Sequence, residues 1–123
     1  MAEKKRIESF EDLDVWKEGC ELAVLIYKFV QEGKISKDYG LKDQLTRAAV
    51  SIPANVAEGK ERETIAELNR FLYIAKGSAG ELRTHLYIAF RVGYMSEELY
   101  ENLRTQAKGL SRKLGSFIQS LKR

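Results

Sequence analysis

Apolar residues recur along this chain at intervals of three and four, and almost nothing interrupts them. Its 123 residues hold one proline and no sustained two-residue alternation. That period places apolar side chains on one face of a helix and gives no strand pattern. Four amphipathic segments result, at about Asp12 to Gln31, Lys37 to Glu58, Thr64 to Val92 and Ser96 to Leu121, with breaks at Gly33, Gly59 and Gly93. Thr64 and Glu67 have the spacing of a capping box, and Ser96 followed by Glu97 and Glu98 reads as an N-cap with an acidic first turn.

The second segment has its core stripe at Leu41, Leu45, Ala48, Ile52 and Val56. The third has Leu68, Leu72, Ala75, Ala79, Leu82, Leu86 and Phe90, and the fourth Leu99, Leu103, Ala107, Leu110, Leu114, Phe117 and Leu121. Short connections between such helices predict an all-α, antiparallel up-down-up-down four-helix bundle. Residues 10–123 would form that single domain, behind a basic extension of residues 1–9 that carries Lys4, Lys5 and Arg6.

One stripe per helix suffices for a monomer, and this chain has more. The first segment is apolar nearly all round, with Leu22, Ile26 and Phe29 opposite Trp16, Cys20, Val24 and Tyr27. The third has a back face of Tyr73, Gly77 and Ile88. Apolar faces in excess of the core mark interfaces. We therefore expect a homo-oligomer, with Leu22, Ile26, Phe29, Tyr73, Gly77 and Ile88 as interface candidates.

Enzymatic signals are weak. The lone His85 has no second histidine to build a two-histidine metal site, and the lone Cys20 lies on an apolar stripe, where it packs as a small hydrophobe. No nucleophile elbow, phosphate loop or dinucleotide fingerprint occurs. The expectation is a non-enzyme with no metal and no cofactor. No apolar run reaches the length of a membrane span, and MAEKKRIESF lacks the apolar core of a signal peptide, so a cytoplasmic protein is expected.

Charge says more. Lys plus Arg number 21 against 18 Asp plus Glu, a formal net charge of +3. Arg104, Lys108 and Arg112 recur every four residues on the last helix, with Lys113 beside them, while Arg62, Arg70, Lys76, Arg83 and Arg91 are spread around the third. Bases late in a helix also complement its dipole, which alone would explain a solvated face. Repeated by symmetry in an oligomer, the stripe would instead suit a phosphate backbone. Arg104, Lys108, Arg112 and Lys113 are the nucleic-acid-binding candidates. Near the core, Asn55, Ser78 and Glu81 form a candidate polar network between the second and third helices, with Asn55 bonding Ser78 or Glu81.

The stretch RAAVSIPANVAEG, residues 47–59, holds Pro53 within a helical pattern. A proline there lacks a donor and crowds the carbonyl four residues back. The expectation is a helix that continues through Pro53 with a bend, its small neighbours letting other helices approach.

LDVWKEGCELA, GLKDQLTRAAVSIPANVAEG, FLYIAKGSAGEL and the basic last helix together resemble the four-helix-bundle family of the 23S rRNA intervening sequences, over about residues 10 to 121. The positions that carry the resemblance are Ser51, Ile52, Asn55, Ala57, Glu58 and Gly59, then Gly77, Ser78, Glu81 and Leu82. The resemblance implies a bacterial protein that assembles as a homopentamer, and it names no reaction. A relative it brings in is the accessory protein of diversity-generating retroelements, a basic pentamer that works with a reverse transcriptase and nucleic acid. The expected function is thus a homo-oligomeric accessory or scaffold that binds RNA or DNA electrostatically. The alternative is a protein-interaction module whose basic face meets an acidic partner, such as a polymerase.

Overall fold

The computed structural model describes residues 7–122. Four long helices account for most of them: α1 (Asp14–Val30), α2 (Tyr39–Glu61), α3 (Ile65–Arg91) and α4 (Glu97–Ser120). Single 3-10 turns precede α1 at Phe10–Asp12 and α2 at Lys34–Lys37, and among the described residues there is no strand. The helices pack as in a bundle, each on its chain neighbour, with the broadest contact between α2 and α3, and α1 also meets α4.

The starts of the helices are set by side chains that take up free backbone donors. Asp38 accepts from the Leu41 N–H at 3.1 Å, Thr64 from Glu67 at 3.2 Å and Ser96 from Leu99 at 3.1 Å. The box expected at Thr64 forms only in half. The Glu67 carboxylate turns to Arg70, 2.8 Å away, and that bond is the main reason its pKa lies below the usual carboxylate range. Chain direction changes at Gly33, Glu63 and Gly93, all at positive φ. The α3–α4 turn is tied back to α2 by Tyr94, whose hydroxyl donates to Asp38 at 2.9 Å.

One core unites the four helices, and the fully buried Ile26, Leu45, Ile52, Leu72, Leu82, Leu86 and Leu114 lie in it. The connections add Ile35 and Met95, which no periodicity marks. Two stripe positions shift by one residue. Tyr100 fills the place expected for Leu99, its ring stacked on Phe90 at 4.7 Å, and Ile118 is more deeply buried than Phe117.

Helix α2 runs unbroken through Pro53, as the pattern predicts. The ring is buried and faces α1 at Gly19, where a Cβ would stand 3.2 Å from the proline Cδ. Gly59 does not end α2. It is buried two residues inside the helix end, and a Cβ there would fall 2.8 Å from the Phe71 Cβ. Its absent side chain therefore sets how closely α2 and α3 approach.

The oligomer candidates on α1 need correction. Leu22 is 2% exposed and Ile26 0%, so the chain buries both in its own core, and Phe29 packs half-buried against it. The helix rotates its other apolar side outward, leaving Val24, Leu25 and Tyr27 exposed. On α3, Tyr73, Gly77 and Ile88 are exposed, and nothing lies within 4 Å of a Cβ built on Gly77.

Candidate anion-binding groove

The basic residues of α3 and α4 do not scatter as their order in the chain suggests. Lys76 and Arg83 stand seven residues apart, two helical turns, and so share one face of α3. That face borders the side of α4 that carries Lys108 and Arg112, and the four cations line one open groove of about 660 Å³. Ser111, Gly115, Ser116, Gln119 and Ser120 complete the lining, and no acidic residue takes part. The Lys76 stem lies over Gly115, whose Cβ position is 3.5 Å from the lysine Cε.

Pairing separates these cations from several other basic residues, though not from all of them. Arg47 is held by Asp43, Arg62 by Glu58 and Arg70 by Glu67. Among the described residues, none of Lys76, Arg83, Lys108 and Arg112 has a carboxylate partner. The Nε of Arg83 is buried with no hydrogen-bond acceptor. A buried donor without a partner is uncommon and costs desolvation energy.

The expected stripe of Arg104, Lys108, Arg112 and Lys113 is accordingly divided. Lys108 and Arg112 are in the groove. Arg104 lies outside its lining, half-buried, with Glu101 at 3.9 Å. Lys113 points to α1 and pairs with Glu18 at 2.6 Å. Lys76 and Arg83 are the groove residues that helix-by-helix reading passes over, although their seven-residue spacing was a usable signal. Lys4, Lys5, Arg6 and Arg123 lie outside the described residues.

The polar network is real in part. Asn55 does not reach Ser78 directly. Its Nδ2 donates to the Ser51 hydroxyl at 2.9 Å and to the Ser51 carbonyl at 2.8 Å, and the Ser51 hydroxyl meets that of Ser78 at 2.7 Å. Ser51, which the pattern did not single out, is therefore the link between α2 and α3. Glu81 is exposed and takes no part in these bonds. It borders a second groove, across α2, with Tyr27, Val50, Ile74 and Arg47.

Other reactive groups are not assembled into a centre. Burial first, and then the charge of Glu21, push the Cys20 thiol up, away from the thiolate. Among the described residues, no three His, Cys, Asp or Glu side chains cluster to hold a metal ion, and no helix is long and apolar enough to cross a membrane.

Comparison with known proteins adds a family. The sequence profile described as 23S rRNA-intervening sequence protein matches residues 11–116. No curated protein matches the chain. Among solved structures, the chain is similar to a protein of unknown function from the S23 ribosomal protein family of Bacteroides thetaiotaomicron. The two are 29% identical, with a TM-score of 0.77 over 85% of this chain and 97% of the other.

Proposed function

This chain belongs to the family of 23S rRNA-intervening sequence proteins, and we propose that it is a non-enzymatic, homo-oligomeric accessory protein that holds RNA or DNA by its phosphates. The observation that carries this reading is the groove between α3 and α4, lined by Lys76, Arg83, Lys108 and Arg112 without an acid. Uncompensated cations gathered in a concave site raise the local positive potential and attract a polyanion. Contacts of this kind grip the backbone and leave base sequence unread.

The assembly in this reading is the pentamer that the family resemblance implies. Exposed apolar residues support self-association: Val24, Leu25 and Tyr27 on α1, and Tyr73, Ile74 and Ile88 on α3. The helix order in this reading is antiparallel, up-down-up-down. Residues 62–64 and 92–96 join their helices, and such connections reach roughly 10 to 18 Å. A return along the 27 residues of α3 would need about 40 Å.

The test is a triple substitution, Arg104→Glu, Lys108→Glu and Arg112→Glu. Wild-type protein is expected to bind single-stranded RNA or DNA at low salt. The variant should lose that binding while keeping its helicity and solution mass. Absence of binding by the wild type, or unchanged binding by the variant, would remove the reading. Copurification of a protein partner that survives nuclease treatment would favour the interaction-module alternative.

A further inference from the structure

We propose that the α3–α4 groove is a built site for an anion carrying two or more phosphoryl groups. The inference rests on the phosphate-binding reading above and narrows it to a defined cleft with a defined ligand chemistry.

Three observations converge on it. The first is charge without compensation. Lys76, Arg83, Lys108 and Arg112 face one cleft, unpaired among the described residues, while nearby Arg70, Arg104 and Lys113 each have a carboxylate. Four like charges around one concavity repel each other, and a multiply charged anion turns that repulsion into attraction. The second is Arg83, whose guanidinium in that lining has no hydrogen-bond or ion-pair partner among the described residues. A phosphoryl oxygen supplies the acceptor a guanidinium fits best, through paired N–H donors. The third is space. Gly115 interrupts the side-chain surface of α4 within the lining. A glycine inside a helix is less favourable than alanine, and here it keeps the cleft open beneath Lys76.

Dimensions favour an oligophosphate over a single phosphate. Lys76 and Arg83 are separated by roughly 10 Å along α3, at about 1.5 Å per residue. A single phosphate cannot meet both cations unless their long side chains converge across that distance. Adjoining phosphoryl groups can, with the hydroxyls of Ser111, Ser116 and Ser120 available as neutral donors. Soluble oligophosphate and the phosphates of a nucleic-acid strand share this chemistry.

The test uses the full chain with pyrophosphate and tripolyphosphate as probes, read by calorimetry at low ionic strength. Saturable binding of one anion per subunit is expected, tighter for tripolyphosphate than for inorganic phosphate or sulfate. Arg83→Gln should weaken it at least tenfold. Gly115→Leu should do the same at unchanged net charge, by filling the cleft, since the only atom near its Cβ position is the mobile end of Lys76. Arg47→Gln, outside the groove, should leave it unchanged. Equal affinity of wild type, Arg83→Gln and Gly115→Leu would overturn the inference, as would the absence of saturable binding. Competition against a labelled single-stranded oligonucleotide then separates the two readings. If pyrophosphate displaces it, the groove holds backbone phosphates. If pyrophosphate binds but no oligonucleotide does, the groove stands as a soluble-anion site and the nucleic-acid reading fails. If the oligonucleotide binds and ignores both pyrophosphate and Gly115→Leu, the groove inference fails and the nucleic-acid reading survives.

Discussion

Ser51 is the residue through which α2 and α3 exchange hydrogen bonds. Its hydroxyl contacts the Ser78 hydroxyl and accepts from Asn55, and Ser78 is only 6% exposed. Replacing Ser51 by Ala removes the partner of a buried hydroxyl and one of the two acceptors of the Asn55 amide, which keeps the Ser51 carbonyl. Chemical denaturation should show a loss of about 1–2 kcal/mol. The double variant Ser51→Ala, Ser78→Ala should lose less than the sum of the single changes, because neither member is then left unpartnered. Strict additivity would mean that the two hydroxyls do not interact. The sequence made Asn55 and Ser78 conspicuous because they flank the core stripes. Periodicity hid the role of Ser51, since a serine one turn before an asparagine looks like any solvated helix residue, although Ser51 is among the positions that carry the family resemblance. Glu81 was misread for the opposite reason. Its place in AKGSAGEL drew attention, but it lies on the exposed side.

At the scale of helices, the close approach of α2 and α3 depends on Gly59. Gly59→Ala gains helix propensity, up to ~1 kcal/mol, but puts a Cβ 2.8 Å from the Phe71 Cβ. The methyl meets a carbon bonded to the backbone, so the helices themselves must shift. Overpacking of this kind costs about 1–3 kcal/mol, and a lower melting temperature is expected. An unchanged or raised one would show that the approach is looser. Helix number and most of the core were legible because the period of 3.6 is imposed by burial along each helix, whereas α2 runs past the expected break at Gly59 to Glu61. What periodicity within one helix cannot reveal is how two helices are rotated against each other. Leu99 and Tyr100 compete for one core position, and the ring stacking on Phe90 decides it. The same limit split Lys113 from Arg112 and concealed the meeting of Lys76 and Arg83 with α4.

For the whole molecule, the question is which apolar surface the chain covers by itself. The helix α1 is amphipathic on both sides, so sequence could not say whether Leu22 and Ile26 or Val24 and Tyr27 face out. The fold encloses the first pair and exposes the second. On α3, Tyr73 and Ile88 are exposed as well, and charge placed on that face should split an oligomer without unfolding it. Tyr73→Glu with Ile88→Glu is expected to lower the solution mass to that of a monomer while far-ultraviolet circular dichroism keeps its helical signal. Ile26→Asp, in the core, should abolish that signal. A wild-type monomer at micromolar concentration, or a variant whose mass does not change, would refute self-association through this face.

The central claim is that the uncompensated cations between α3 and α4 bind phosphates. Its most direct measurement is the affinity of the wild-type protein for single-stranded RNA as a function of salt. Each phosphate neutralised on a single strand contributes about −0.7 to the slope of log K against log salt. Four groove cations predict a slope near −3 for each subunit engaged, at about −0.7 per phosphate, falling in magnitude when Lys108 and Arg112 are replaced by Gln. A flat dependence, or a steep one that the two substitutions leave unchanged, would contradict the account.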